Sequence, residues 1–428
     1  MARRVERATA RAPELSVAAI GGRVFRVGLC FLSGFAGVSQ AQDAIRPSTP
    51  GEEVRLMTAD AAILEAQDTR KDLPCTVTPT KPSLGFDLKF HSGYEVTFNL
   101  KEFAGSDNLL TIVFEVAQAD RPGEPVFFSQ HVAVPPIDDD DRGPAYLQGA
   151  FDLGEGKYHV DWLMRDRTER VCSSHWDSEA SLPARDKPMA LDIAAGAVQP
   201  VDPELFKQEP PVTREPGGQP LRVKVVINFA PQDSAAATLQ PLDSNALVSI
   251  LRNISRDPRI GRFSIVAFNM HEQRVLYRQE SASQIDFPAL GRALSKLNLG
   301  TVDLKHLAQK HGESEFLGSL LESEVKDSGE APDAVIFAGP KVMLDDGLPP
   351  ETLKQLGEVK VPVFYMNYNL YPLANPWRDA IGSAVRASRG IEYTISRPRD
   401  LFFAWSEIMG RIVKFKVGRT GSGNSSSQ

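Results

Sequence analysis

The spacing of the apolar residues changes once along this chain of 428 residues, and that change most constrains its fold. Between residues 75 and 191, apolar and polar residues alternate in short runs, as in 110–116 and 157–164. A period of two is typical of strands that bury one face. From Leu221 onward, apolar strand-like runs alternate with runs of helical spacing. The sequence therefore predicts an all-β domain followed by an α/β domain.

Turn-forming residues separate the alternating runs of the first domain. Clusters of Gly with Ser, Asp, Asn or Glu occur at 105–108 and 154–156, and such clusters commonly separate strands. The run at 86–90, with an aromatic residue at each end, is among the first of these predicted strands. About seven strands of this kind predict an antiparallel, loosely immunoglobulin-like β-sandwich over residues 73–197.

The second domain, residues 221–416, has the order strand, helix, strand. A further run at 273–279 alternates like an antiparallel edge strand, and Asp243 or Ser244 is expected to cap the first helix. Strands that alternate with helices predict a doubly wound, mostly parallel, Rossmann-like sheet that is covered on both faces. The apolar strand-like runs are 222–228, 263–268, 333–338, 361–366 and 391–395.

The first 41 residues have the pattern of an export signal. Arginines precede an apolar run at 27–38, and the small residues Ser39 and Ala41 follow it. This order predicts a signal peptide over residues 1–41, cleaved after Ala41, and a periplasmic or secreted protein. The apolar run is shorter than the ~20 residues that span a bilayer, so no membrane span is expected in the mature chain. The alternative is a short buried helix.

Three segments of different composition flank the predicted domains. Residues 42–72 are interpreted as a leader whose order the sequence does not define. Residues 198–220 are rich in proline, which predicts a semi-rigid extended linker. Residues 417–428 are rich in Gly and Ser, which predicts a disordered tail.

Cysteine usage agrees with export. Without the predicted signal peptide, Cys75 and Cys172 are the cysteines that remain. Two cysteines in an oxidising compartment favour a disulfide, whereas two buried thiols are the alternative. A bond between them would close a loop of nearly a hundred residues.

The charge of the chain argues against nucleic acid as a partner. The formal net charge is −7, and removal of the arginine-rich first 41 residues lowers it to about −11. An acidic surface repels phosphate backbones and anionic lipid headgroups. We therefore expect no nucleic-acid partner.

The order of elements from Leu221 to Phe415 resembles the von Willebrand factor type A domain. That family also has an edge strand after its second strand and two consecutive helices before its fourth. The segment 390–401 is similar to the last strand and final helix of bacterial members. The resemblance implies binding at the loops over the carboxyl ends of the strands, where open α/β sheets generally bind.

The divalent-cation site of that family is not matched here. The family's first strand ends in Asp-x-Ser-x-Ser, but Asn228, Ala230 and Gln232 occupy these three positions. The segment after the fourth strand, 337–340, contains no carboxylate. Hard cations need several converging oxygens. We therefore predict a degenerate site without a metal, and no cofactor.

The sequence predicts an exported, non-catalytic protein-interaction module. It contains no His-Glu-x-x-His motif, no Gly-x-Ser-x-Gly elbow and no phosphate loop. Tyr and Trp are favoured at interfaces, although aromatic residues in a loop can instead fold it back onto its own domain. The candidate partner-binding rim after the fifth strand comprises Tyr365, Asn367, Tyr368, Asn369, Tyr371 and Trp377.

Two other functions stay open. A cation-dependent adhesion protein would need oxygens from Asn228, Asp233 and Asp345 to converge in a rearranged site. An exported hydrolase with a site between the domains would need a nucleophile and a base in contact, and no pair of residues identifies itself in the sequence.

Overall fold

The computed structural model describes residues 43–45, 56–105, 107–138, 140–141, 143–214, 220–233, 236, 238–297, 311–326, 331–344, 347–373 and 377–423. The predicted signal peptide, residues 1–41, lies outside the described residues. The end of the predicted tail, residues 424–428, lies outside them as well.

Two antiparallel sheets form the N-terminal domain. Their strands are β1 (Asp43–Ile45), β2 (Cys75–Leu84), β3 (Phe90–Asn99), β4 (Asn108–Gln118), β5 (Arg121–Val134), β6 (Pro144–Leu153), β7 (Gly156–Arg165), β8 (Val171–Ala180) and β9 (Val198–Pro200). Among the described strands, one sheet has the order β1-β5-β4-β7-β8 and the other has the order β2-β3-β6-β9. The antiparallel β domain predicted from the period of two is therefore confirmed.

Aromatic side chains fill the space between these two sheets. Phe114 of β4 stacks on Phe128 of β5, with ring centroids 4.8 Å apart. Tyr94 of β3 meets Trp162 of β7 edge to face at 5.2 Å, which joins one sheet to the other. Because alternate residues of a strand point to the same face, the alternating apolar residues form one continuous core.

Part of the predicted leader packs on the sandwich. Residues 58–66 form the helix α1 (Thr58–Ala66), whose Leu64 is buried against Val113 and Leu163 on the outer face of the five-stranded sheet. The buried Asp60 of this helix pairs with Arg165 at 3.3 Å. The helix therefore covers apolar residues that would otherwise face solvent.

The predicted disulfide is present. Cys75 begins β2 and Cys172 lies in β8, and their Cα atoms are 6.3 Å apart. These are the terminal strands of the two sheet orders. The bond therefore links the two sheets across one edge of the sandwich.

A mostly parallel sheet forms the C-terminal domain, as predicted. Its described strands are β10 (Leu221–Asn228), β11 (Ile260–Asn269), β12 (Arg274–Ala282), β13 (Ala334–Gly339), β14 (Val363–Tyr368) and β15 (Ile391–Ile395). Their order is β12-β11-β10-β13-β14-β15. Only β12 is antiparallel to its neighbour among these six, and it forms the edge beside β11.

Helices cover both faces of this sheet. They are α2 (Pro241–Ser255), α3 (Phe287–Leu294), α4 (Gly312–Lys326), α5 (Pro350–Leu356), α6 (Ala380–Ala387) and α7 (Pro398–Gly423). Val225 of β10 packs in a core with α2, α3 and α7, whereas its neighbour Val226 packs with α4, α5 and α6. None of the described helices combines the length and apolar character needed to cross a bilayer.

The last helix extends into the segment predicted to be a disordered tail. Helix α7 continues to Gly423, beyond the predicted domain end at residue 416. Its first half is anchored by buried residues such as Leu401 and Ile408. Adding residues to an existing helix requires no new nucleation, so the end of the helix can continue although it contains Gly418.

The turn between β2 and β3 connects the two domains. Residues 85–89, predicted as part of a strand, form a turn in which Leu88 has a φ of 59°. Phe86 at its tip is 8% exposed and belongs to the core of the α/β domain. Its ring meets that of Tyr368 edge to face at 6.0 Å. The alternation at 86–90 therefore arises because the second domain, not the sandwich, buries Phe86.

His91 holds this turn from the sandwich side. Its Nε2 lies 2.9 Å from Oδ1 of Asp87, and its Nδ1 lies 2.7 Å from Oδ1 of the buried Asp152. The hydrogen bond with Asp152, followed by that with Asp87, raises the pKa of His91 to about 10. This pair of contacts stabilises the fold fully below the ordinary histidine pKa, and its contribution is lost as pH rises towards about 10.

The proline-rich segment contacts both domains. Its first residues form β9, which pairs with β6 of the sandwich. Further along, Phe206 packs against the α/β core, and Glu209 pairs with Arg252 of α2 at 2.9 Å. Conversely, Phe402, which lies in α7 of the α/β domain, packs against the sandwich core. The described part of the linker is therefore docked along its length instead of spanning free solvent.

Candidate functional site

A cavity of about 810 Å³ lies at the carboxyl ends of the parallel strands. Its wall is formed by residues at the ends of β10 and β14 and in the loops after β10, β13 and β14, together with Met270, His271 and Glu313. Ligand cavities in proteins typically measure about 300–1,000 Å³. The sheet therefore presents a cavity of ligand size at the edge where open α/β sheets usually bind.

Asn228 lines this cavity at the end of β10. It is the last residue of β10, and its Oδ1 accepts a hydrogen bond from the backbone N–H of Met270 at 3.3 Å. Gly339 of β13 approaches it closely with a φ of 131°, and a Cβ at residue 339 would lie 2.8 Å from the Asn228 Cβ. The amide therefore ties the end of β10 to the residue that follows β11.

A buried acid and a buried phenol lie beside each other on the wall. The hydroxyl of Tyr368 donates to Oδ1 of Asp243 at 3.1 Å. Burial raises the pKa of Asp243, and the nearby charge of Asp233 raises it further. Asp243 does not occupy the N-cap position of α2 as predicted, because the N-cap is Gln240.

Asn369 provides an unsatisfied hydrogen-bond donor at the same wall. Its side chain is 2% exposed, and its Oδ1 accepts from the backbone N–H of Tyr371 at 3.2 Å. Its Nδ2 is buried and has no hydrogen-bond partner. An unsatisfied buried donor costs about 1–3 kcal/mol.

The charged groups of the cavity are mainly acidic. Asp233, Asp243 and Glu313 contribute carboxyl groups, and Lys341 contributes an ammonium group. Nζ of Lys341 donates to the backbone oxygen of Trp377 at 3.3 Å. The lining therefore favours a cationic group over an anionic one.

Exposed apolar side chains surround the mouth of the cavity. Tyr371 is 64% exposed and Trp377 is 59% exposed, and Leu242 and Met343 also line the cavity with exposed side chains. We call Leu242, Met343, Tyr371 and Trp377 the apolar rim. An exposed apolar patch is typical of a surface that binds another protein.

The structure divides the six residues predicted as a partner-binding rim. Tyr371 and Trp377 are exposed at the mouth, whereas Tyr365, Asn367, Tyr368 and Asn369 are buried. The first three of these buried residues belong to β14, every residue of which is buried between helices. The Tyr365 hydroxyl donates to the backbone oxygen of Gly339 at 3.3 Å. The predicted rim is therefore reduced to its two exposed aromatic residues.

Sequence reasoning missed the other parts of the rim. Leu242 lies in the first turn of α2 and Met343 follows β13, so both are distant in sequence from Tyr371. Their grouping follows from the parallel order of β10, β13 and β14, which brings three loops to one edge.

Of the three residues proposed for a rearranged metal site, the structure describes two. Asn228 and Asp233 line the same cavity, and Asp345 lies outside the described residues. Within the described part of the chain, no group of three or more His, Cys, Asp or Glu side chains is arranged to hold a metal ion. The residues that line the cavity include the acids Asp233, Asp243 and Glu313 and the aromatic residues Tyr368, Tyr371 and Trp377.

Asp379 fixes one wall of the cavity. Its Oδ1 accepts hydrogen bonds from the backbone N–H groups of Val342 and Ile381, each at 3.1 Å. The first bond holds the loop after β13, and the second caps α6. Burial raises the pKa of Asp379 to about 6.

Replacing Asp379 with asparagine is expected to change how stability depends on pH. The folded-state pKa of about 6 lies above the ordinary value of 3.8, so the folded state binds more protons between these values. Wild-type stability should therefore fall by up to about 3 kcal/mol from this group as pH rises from about 4 to 7. Asparagine retains the accepting oxygen but cannot ionise. Urea unfolding of both proteins across this range measures the difference, and a difference that stays constant with pH would contradict the prediction.

Comparisons with known proteins assign no family. No family model matches the chain, and no curated protein matches it. Among solved structures, a target of the Northeast Structural Genomics Consortium matches with 11% identity over 30% of this chain and 97% of that chain, at a TM-score of 0.17.

Two glycoside hydrolases are also matched at low scores. The β-glucuronidase of Bacteroides uniformis has 12% identity over 75% of this chain and 39% of its own, at a TM-score of 0.17. A glycosyl hydrolase family 2 member from Bacteroides cellulosilyticus DSM 14838 has 10% identity over 74% of this chain and 38% of its own, also at 0.17. The chain thus spans less than half the length of either hydrolase. Scores this low carry no argument about function.

Proposed function

We propose that this protein is an extracytoplasmic, non-catalytic binding protein. Its α/β domain, a von Willebrand type A-like domain without the family's cation, would contact a protein partner through the apolar rim. The observation that carries this proposal is the grouping of exposed Leu242, Met343, Tyr371 and Trp377 around one cavity at the carboxyl edge of the sheet.

Three further observations support the proposal. The sheet order, with an antiparallel edge strand beside five parallel strands, agrees with the type A resemblance. Asn228 uses its amide to hold a loop instead of providing a carboxylate. The disulfide between Cys75 and Cys172 agrees with an oxidising, extracytoplasmic location.

Thermal unfolding of the mature protein is expected to be unaffected by magnesium, manganese or calcium. A ligand that binds only the folded state raises its stability, by about 2.7 kcal/mol at a concentration 100 times the dissociation constant. Asn228 provides no carboxylate to such a cation. The measurement is the unfolding midpoint with each cation and with EDTA. A rise that EDTA reverses would instead support the cation-dependent adhesion hypothesis.

Site-specific photo-crosslinking tests the partner-binding surface directly. A benzoylphenylalanine residue at position 377 should give a discrete crosslinked product in cells that normally express the protein. The matched control position is Tyr146, which is also exposed but lies on the sandwich, and it should give no such product. Export of a folded variant without a crosslink at position 377 would exclude the apolar rim as the contact surface.

A further inference from the structure

We propose that the cavity inside the apolar rim binds an arginine side chain of the partner protein. This inference rests on the proposed function and adds to it the chemistry of the group that enters the site. It follows from two properties of the wall, namely its charge and its aromatic mouth.

The charge of the wall selects a cation. Asp233, Asp243 and Glu313 line the same cavity, and the charge of Asp233 contributes to raising the pKa of Asp243. An inserted cation would relieve the repulsion between the two aspartates. Asp243 is buried, so an ion pair with it would be screened less than one at the surface. Lys341 is a single opposing charge, and it lies at the Trp377 side of the wall.

The aromatic mouth favours arginine over lysine. Tyr371 and Trp377 are exposed at the entrance, and the planar guanidinium stacks on aromatic faces more readily than an ammonium group does. Arginine is enriched with Tyr and Trp at the energetic centres of protein interfaces. The cavity volume of about 810 Å³ accommodates an arginine side chain together with neighbouring backbone.

A minimal probe tests this chemistry without knowledge of the partner. Binding of N-acetyl-arginine amide to the mature protein is measured by saturation-transfer NMR, beside the uncharged isostere N-acetyl-citrulline amide. We expect the arginine probe to bind. The citrulline probe should bind at least about tenfold more weakly, because a charge-assisted hydrogen bond is lost. Added salt should weaken the arginine probe only.

Variants locate the binding to the cavity. Asp243→Asn keeps an oxygen that can accept from Tyr368 but removes the charge, and Trp377→Ala removes a ring that is mostly exposed. Each should weaken the arginine probe about fivefold or more. Asp120→Asn is the matched control, because Asp120 is an exposed acid in the turn between β4 and β5, and it should bind like the wild type.

Several results would overturn the inference. Equal binding of the arginine and citrulline probes would show that charge is not recognised, and unchanged binding in both Asp243→Asn and Trp377→Ala would place the probe elsewhere. Saturation transfer to a neutral sugar such as cellobiose, with none to the arginine probe, would assign the cavity to carbohydrate.

Competition separates this inference from the proposed function. If the crosslink at position 377 forms and an excess of N-acetyl-arginine amide suppresses it, both are supported. If the crosslink forms but the arginine probe does not reduce it, the protein-binding rim stands and the arginine inference fails. If the arginine probe binds at the cavity but no crosslink forms, the cavity chemistry stands and the protein-binding role fails.

Discussion

Replacing Cys75 and Cys172 with alanine is expected to lower the free energy of unfolding of the sandwich domain by about 4–5 kcal/mol. The bond spans a sequence separation of 97 residues, and the loss of chain entropy on closing a loop grows with its length. The bond also joins the terminal strands β2 and β8 of two different sheets. Its removal therefore frees both sheets at one edge. Urea unfolding of the double variant and the wild type measures the effect.

Reduction provides the matched control for this prediction. Wild-type protein treated with dithiothreitol contains the same chain without the bond, so its unfolding curve should approach that of the double alanine variant. The buried Cys172 is replaced by alanine and not serine, because a buried hydroxyl without a partner would add its own penalty. Equal stability of oxidised and reduced wild type would contradict the prediction.

The strands were predictable wherever burial is decided by residues near in sequence. The run 222–228 became β10 (Leu221–Asn228), and the run 391–395 became β15 (Ile391–Ile395). The alternating run 273–279 became the antiparallel edge strand β12. In each case the apolar period reports directly on which face is covered.

The strand pattern does not explain Lys224, which lies in the middle of the apolar strand β10. Its side chain is buried, and its Nζ pairs with Glu324 of α4 at 2.8 Å. The same carboxylate pairs with Arg278 of β12 at 2.5 Å. A buried lysine is tolerated only with such partners, and these lie far away in the sequence. Local periodicity therefore could not identify them.

The candidate site was predictable in position but not in composition. The carboxyl edge of a parallel sheet is fixed by topology, so the loops after β10 and β14 were expected there. Which aromatic residues reach solvent depends on how β14 is covered, and this separates the buried Tyr365 and Tyr368 from the exposed Tyr371. The contact of Asp243 with Tyr368 joins residues 125 positions apart. Because local sequence cannot reveal such a contact, Asp243 was expected only to cap a helix.

Replacing Phe86 with alanine is expected to destabilise the α/β domain, although Phe86 lies in the turn between β2 and β3 of the sandwich domain. Its ring is buried in the α/β core and contacts Tyr368. Removal of a buried phenylalanine ring costs about 3–5 kcal/mol, because the cavity left behind is only partly refilled. Hydrogen exchange measured by mass spectrometry should show exchange of β10 and β13 amides accelerated about a hundredfold or more.

Phe103 supplies the matched control for this second change. It is a buried phenylalanine of the sandwich core that meets Phe98 edge to face at 4.9 Å. Phe103→Ala removes a similar buried ring, so it should accelerate exchange chiefly in the sandwich strands β3 and β4. If Phe86→Ala leaves the exchange of β10 and β13 unchanged, the turn at 85–89 does not support the α/β domain. If it accelerates their exchange as predicted, the sandwich helps to hold Tyr368 and, through it, Asp243 on the cavity wall.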